Sequence, residues 1–264
     1  MLDNLRQLFR YRALISSLVA RELKARYRGS VLGFFWSFIN PLLLLLIYTV
    51  VFTVVMPNVH PPELEPFALF MFCGLLPWTW FSSSLLESSN VLVAGGNLIK
   101  KVLFPAEVLP IVTVLAGLAH FCLGLPILVA FLIYYRVPVT PTDLLWFPLI
   151  VAIQLVLTVG LALLVSALTV HFRDVRDLLS NLLTLWFFAT PIIYPITQAP
   201  ERVRRLLNLN PFTHLAIAYQ QVLFKPGPFT QGARLLAVGV ASIAVFLFGY
   251  FVFDRLRDTF AEEV

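Results

Sequence analysis

Runs free of Asp, Glu, Lys and Arg divide the chain into long apolar stretches at residues 34–56, 66–86, 108–135, 144–170, 178–200 and 235–253. Each is 19 to 28 residues long, enough for an α-helix to cross a hydrocarbon layer of about 30 Å. A further uncharged run, 206–224, carries Asn208, Asn210, Pro211, Thr213, His214, Gln220 and Gln221. Such polarity fits a re-entrant or interfacial helix pair better than a span. The pattern therefore predicts an all-α polytopic membrane protein with six transmembrane helices and re-entrant helices between spans five and six.

The first thirty residues follow a different period. At 100° per residue, Leu5, Leu8, Phe9, Ile15, Val19, Leu23 and Tyr27 occupy a sector of roughly 120°, and Arg6, Arg10, Arg21, Lys24 and Arg28 one of roughly 60° on the other side. This predicts an amphipathic helix on the cytoplasmic membrane surface. Arg12 and Arg26 project toward the apolar sector, so the element is expected to bend or divide. A plain positive-inside anchor is the competing reading. The expected organisation is an interface region at 1–33, a transmembrane domain at 34–254 with its re-entrant segment at 201–232, and a cytoplasmic tail at 255–264.

Composition agrees with a lipid-solvated chain: 59% of the 264 residues are hydrophobic, 12% are charged, and the mean hydropathy is +0.88. The net charge of +5 does not point to nucleic acid, because seven of the 19 Lys and Arg precede residue 30, beside the first apolar run, where anionic lipid headgroups would meet them. With six spans and the N-terminus inside, thirteen basic residues face the cytoplasm and six face outward, which places both termini in the cytoplasm. A seventh span would move Lys225 and Arg234 inward and Arg255 and Arg257 outward, leaving the count unchanged. No cleaved leader is expected, since the basic N-terminal stretch precedes an apolar run too long for a signal peptide.

Candidate chemistry is sparse. Cys73 and Cys122 sit in apolar runs without CxxC spacing and read as buried small hydrophobes, and His60, His120, His171 and His214 stand far apart, so no metal site is expected. His120 is the one ionisable group at membrane depth, which argues against a proton- or ion-driven secondary transporter. No GxxxxGK[ST] motif occurs, so ATP used for transport would be hydrolysed by a separate subunit, and no cofactor is expected in this chain. Asp174 and Asp177 alternate with Arg173 and Arg176 and read as local ion pairs rather than catalytic carboxylates; Glu63 and Glu65 are the other acidic candidates. No catalytic residue is assigned and the chain is not expected to be an enzyme. Asn40, Gln154 and Asn181 offer either substrate contacts or, preferably, bonds between helices.

Aromatic residues make up 14% of the chain and cluster around Trp36, Trp78, Trp80, Phe81, Trp186 and, nearby, Tyr194. They fit an interfacial belt or a path on which sugar faces stack without tight hydrogen bonding. Between spans two and three, residues 88–101 are expected to couple to an ATPase. Val91, Leu92, Val93 and Leu98 would fill an apolar cleft there, Lys100 and Lys101 would meet its surface charge, and Gly95-Gly96 would end a short helix.

Several motifs carry a family resemblance: Arg26-Tyr27-Arg28-Gly29-Ser30-Val31-Leu32-Gly33 with Trp36 and Asn40-Pro41, Gly74-Leu75-Leu76-Pro77-Trp78, and Asn97-Leu98-Ile99-Lys100-Lys101 with Phe104-Pro105. Further along come Phe172-Arg173-Asp174-Val175, Thr190-Pro191-Ile192-Ile193-Tyr194-Pro195 and Asn210-Pro211-Phe212. In this order they resemble the permeases of ABC transporters that export O-antigen, teichoic acid or capsule. The resemblance implies an inner-membrane homodimer paired with two cytoplasmic ATPase subunits that hold ATP and Mg, moving a polyprenyl-diphosphate-linked glycan outward. It implies ATPase contacts through the N-terminal helix, with Arg21, Lys24 and Arg28, and through Asn90, Val93, Asn97, Lys100 and Lys101. Drug and heme exporters are more distant members of the same class.

Overall fold

A computed structural model describes residues 11–26, 35–56, 62–96, 105–138, 144–172, 174–224 and 228–260. Leu98, Asn97, Lys100, Lys101, Arg28 and the expected interface-helix residues 6–10 lie outside them. The described residues form nine α-helices and no strand: α1 (Arg12–Arg26), α2 (Trp36–Val50), α3 (Phe67–Ala94), α4 (Val108–Tyr134), α5 (Trp146–His171), α6 (Val175–Phe188), α7 (Glu201–Leu207), α8 (Pro211–Leu223) and α9 (Gly232–Leu256).

Four of these, α3, α4, α5 and α9, are long and apolar enough to cross a membrane. Their positions follow the uncharged runs closely, because in lipid only a helix satisfies its own backbone. α3 outruns its predicted stretch by a full two turns, since Glu87, Ser88, Ser89 and Asn90 stay helical and the helix ends at Gly95, whose N–H bonds the Val91 carbonyl at 3.0 Å. The glycine thus terminates a long helix rather than a short separate one. α2 continues through a π-helical turn at Val51–Val55 and is shorter than its run.

The fifth run differs most from its prediction. α6 has 14 residues, a rise of about 21 Å, and stops at Phe188 rather than reaching residue 200. Pro191 and Pro195 cannot supply the amide protons that would carry the helix onward, and residues 189–195 form turns instead. The polar run 206–224 is not one helix either. α7 ends at Leu207, and α8 restarts at Pro211 with the Asn210 side chain capping the Phe212 N–H at 3.0 Å.

α3 and α4 run antiparallel: Gly124 approaches Leu76, Gly117 approaches Trp80 and Ser84, and Gly95 approaches Leu109. α5 and α9 run parallel. Trp146 stacks on Phe229 just before α9, with centroids 4.7 Å apart, and at the other end His171 Nε2 meets Thr259 Oγ1 at 3.0 Å. Midway, Gly160 and Gly249 bring the two backbones into direct contact.

α1 packs on α4 through Leu14, Ile15, Leu18 and Val19 against Val108 and Val112, while Arg12, Arg21 and Lys24 are exposed. This helix is therefore held by protein contacts as well as by any surface it lies on. It sits at the end of the bundle where α4 begins and where α3 ends.

Candidate functional site

Two facing stripes make a cleft between α3 and α6. On α3, Trp78, Ser82, Ser83 and Leu86 recur at intervals of four and one residues, and on α6, Ser180, Leu183, Thr184 and Phe187 recur at three and one. Both spacings put every member on one helical face. Together they line a groove of about 400 Å³. Three of its hydroxyls give their protons to their own helix: Ser82 Oγ to the Thr79 carbonyl, Ser83 Oγ to that of Trp80 and Thr184 Oγ1 to that of Ser180, at 3.4, 3.3 and 3.0 Å. Their oxygen lone pairs remain for an outside donor. Among the described residues no charged side chain lines the groove.

An aromatic junction closes one end. Trp78 meets Phe212 edge-on at 5.0 Å, and its ring lies 6.4 Å from Trp186 and 5.7 Å from Phe187; Phe81 meets Trp186 at 5.2 Å and Phe212 at 4.7 Å. Three helices, α3, α6 and α8, thus converge on one set of rings, each well-placed pair adding about 0.5–1.5 kcal/mol beyond area burial. Asn210 ties the junction in polar terms. Its Oδ1 accepts from Trp186 Nε1 at 2.8 Å and from the Phe212 N–H, and its Nδ2 donates to the Ala189 carbonyl and to Thr190 Oγ1, both at 3.0 Å.

The structure divides the six aromatic positions singled out in the sequence. Trp78, Phe81 and Trp186 come together; Trp78 and Phe81 are buried, and of these three only Trp78 lines the groove. Trp80 points the other way, donating Nε1–H to the Val114 carbonyl at 3.1 Å and packing on Phe121, so it joins α3 to α4 and belongs to no cleft. Trp36 opens α2, a helix that packs mainly on α3 and α4. Tyr194 lies beyond α6, its hydroxyl donating to the Phe188 carbonyl at 2.9 Å. The hydroxyls of Ser82, Ser83, Ser180 and Thr184, and the Asn210 hub, were not singled out. Their signal was present as serine and threonine spaced three to four residues apart within apolar runs.

Of the coupling candidates, Asn90 is half-buried and Val93 exposed on the last turns of α3, whereas Leu92 is buried within the chain and unavailable to a partner. Gln154 does bond between helices, its Nε2 donating to the Pro77 carbonyl at 2.9 Å. Asn40 and Asn181 are exposed. Asp174, Arg176 and Asp177 are exposed and form no ion pair with one another, because helix neighbours one or two apart point in different directions; Arg173 lies outside the described residues. No group of metal-ligating side chains occurs among the described residues.

The sequence profile of the ABC-2 type transporter family matches residues 13–224. The chain belongs to this family. Across its whole length, and the whole length of the relative, it is 42% identical to an O-antigen export system permease protein, RfbA, of Myxococcus xanthus. A protein of the same name from Klebsiella pneumoniae is 32% identical over 94% of both chains, and the polysialic acid transport protein KpsM of Escherichia coli is 23% identical over 92% of this chain and 93% of its own. The family match takes in the groove, the aromatic junction and the Asn210 hub, and it ends as α8 ends.

Proposed function

We propose that this ABC-2 family member is the permease subunit of an ATP-driven exporter, moving a polyprenyl-diphosphate-linked polysaccharide outward across the inner membrane. The observation that carries the reading is the groove between α3 and α6. A long glycan sliding through it needs many weak contacts, and hydroxyl stripes beside indole and phenyl rings supply hydrogen bonds and C–H stacking without a charge that would hold one residue fast. The names of the relatives, O-antigen and polysialic acid exporters, point to the same cargo class.

The groove is open on one side, and a second copy facing it would close it into a channel, giving a homodimer. Energy comes from a separate nucleotide-binding subunit that holds ATP and Mg. Its contacts are proposed at the exposed face of α1, with Arg21 and Lys24, and at the end of α3, with Asn90 and Val93. Arg28, Asn97, Lys100 and Lys101 are assigned to the same interface on sequence grounds.

Six spans are proposed from α2, α3, α4, α5, α6 and α9, with the turns after Phe188 completing the fifth crossing and α7 and α8 re-entering from the outer side. The parallel course of α5 and α9 supports this, since the chain between them must cross an odd number of times. The decisive experiment disrupts the gene in its native cells and follows both surface polysaccharide and intracellular lipid-linked glycan. Loss of the first with accumulation of the second is expected, restored by the intact gene; unchanged surface polymer would remove the reading.

A further inference from the structure

A second cavity lies apart from the groove, where the turn after α6 meets α8 and the approach to α9. It holds about 180 Å³, and Phe70, Thr197, Gln220, Gln221, Thr230 and Gln231 line much of it. No acidic or basic side chain lines it among the described residues. Arg234, one turn into α9, donates to the Gln231 Oε1 at 3.3 Å.

The cavity is built rather than incidental. Gln220 is only 4% exposed, and its Nε2 donates to the Pro191 carbonyl at 3.1 Å, which fixes the amide plane. Gly74 permits this position: a Cβ there would stand 3.2 Å from the Gln220 Nε2. The Gln220 Oε1 then accepts no bond from within the chain among the described residues. On the opposite wall, Gln221 donates to the Pro228 carbonyl at 3.1 Å and to Thr230 Oγ1 at 3.2 Å, pinning the segment before α9 against α8. The Thr197 hydroxyl and the Gln231 amide N–H groups carry no intramolecular bond among the described residues. The Gln220 acceptor is therefore open to the cavity beside free donors, and together they suit an occupant that both donates and accepts.

We infer that this cavity is a binding site for a single neutral sugar residue. Three amides, two hydroxyls and the ring of Phe70 match the alternating hydroxyls and apolar C–H face of a pyranose. The lack of charge among the described lining residues disfavours phosphate, carboxylate or ammonium groups. Its volume seats one ring and not a chain, so it would hold the glycan transiently where it leaves the groove on the outer side. That placement rests on the exporter reading above; the sugar chemistry does not.

The test uses the full chain in lipid nanodiscs with methyl α-D-glucopyranoside, methyl α-D-mannopyranoside and methyl α-D-galactopyranoside as probes, followed by saturation-transfer NMR. At least one glycoside should receive saturation. Thr197→Trp, at the exposed rim, should weaken that binding about tenfold or more, equivalent to about 1.4 kcal/mol, while Leu236→Trp on the exposed face of α9 leaves it intact. If Thr197→Trp disturbs folding, judged by thermal unfolding, the pair Thr197→Val and Gln231→Ala replaces it with the same expectation. Saturation of no probe, or saturation indifferent to the rim variants, overturns the inference. Gene disruption separates the two readings. Lost export with no glycoside binding removes the sugar site alone, whereas rim-dependent binding with unimpaired export leaves the site standing and removes the exporter reading.

Discussion

Asn210 joins two chain segments through one amide, with four bonds that link the end of α6 to the start of α8. Alanine there would orphan the Trp186 indole N–H and the Ala189 carbonyl inside the aromatic junction, at about 1–3 kcal/mol for each buried group left unmet. Asn210→Ala is expected to lower the unfolding temperature of the purified protein by several degrees and to slow export, while Asn210→Asp keeps the cap but loses both donations from Nδ2. Equal stability of Asn210→Ala and the parent in a thermal scan would show that the hub carries no load. A second residue-scale prediction concerns Arg136, which has φ 53°. It occupies the left-handed position after α4, where the Val137 N–H reaches the Leu132 carbonyl at 2.9 Å and the Arg136 N–H that of Ile133 at 3.0 Å. A side chain there costs about 1 kcal/mol relative to glycine. Arg136→Gly should therefore raise stability by up to about that amount, read as a higher midpoint in denaturant. Neither role was legible in the sequence: Asn210 stood out only as a polar residue and as part of the Asn210-Pro211-Phe212 motif, and nothing marked Arg136 as a helix-ending position.

At the scale of elements, α5 and α9 cross with backbone against backbone. A Cβ on Gly160 would lie 2.5 Å from the Phe246 Cα, and one on Gly249 would overlap the Gly160 carbonyl oxygen. Neither neighbour can yield, because both are backbone. Gly249→Ala is expected to force the helices apart at a cost of about 1–3 kcal/mol, visible as reduced folded yield, whereas Gly239→Ala on the same helix meets only the Ile153 side chain at 3.4 Å and should be tolerated. Equal yields would mean that the contact is loose. Helices α3, α4, α5 and α9 were legible in the sequence because an unbroken apolar run of that length has one stable form in lipid. Charge alone misjudged the ends: Glu87 stopped the predicted second span, yet α3 continues for seven residues beyond it, since one glutamate near the edge of a helix does not end it. The fifth run failed for the opposite reason. Pro191 and Pro195 bear no charge, so counting charges passed over the residues that break the helix. The aromatic site was half legible. Clustering in sequence found Trp78, Phe81 and Trp186, but adjacent residues on a helix point about 100° apart, and that angle sends Trp80 to α4 instead. The groove's serines and threonines were missed because hydroxyls in a helix hide their protons on the backbone and look apolar to a hydropathy count.

For the whole molecule, the parallel course of α5 and α9 supports the proposed six-span arrangement where charge counting is tied. Six and seven spans distribute the basic residues identically, thirteen against six, so composition gives no preference. Direction does. With Trp146 beside Phe229 and His171 beside Thr259 and Phe260, α5 and α9 start at one end of the bundle and finish at the other. Residues 172–231 must then return the chain to its starting side by one net crossing. Had α6 and α8 both crossed, α9 would run antiparallel to α5 and the contacts at both of its ends would be lost. Because α1 packs against the start of α4 and α3 ends beside that start, α1, the end of α3 and, through the short link from α5 to α6, the end of α9 share one face. Among the described residues that face carries Arg12, Arg21, Lys24, Arg176, Arg255 and Arg257, and it is expected to be cytoplasmic. Single cysteines at Val93 and Arg204, in a chain whose Cys73 and Cys122 are replaced by serine or alanine, check the arrangement with a membrane-impermeant maleimide on intact spheroplasts. Arg204→Cys, exposed on α7, should label at once, and Val93→Cys only after lysis. A reporter active only in the cytoplasm, fused after Val264, should be active. Labelling of Val93→Cys in intact spheroplasts, or an inactive terminal reporter, would mean that α8 crosses the membrane or that the chain is inverted, and the six-span arrangement would be abandoned.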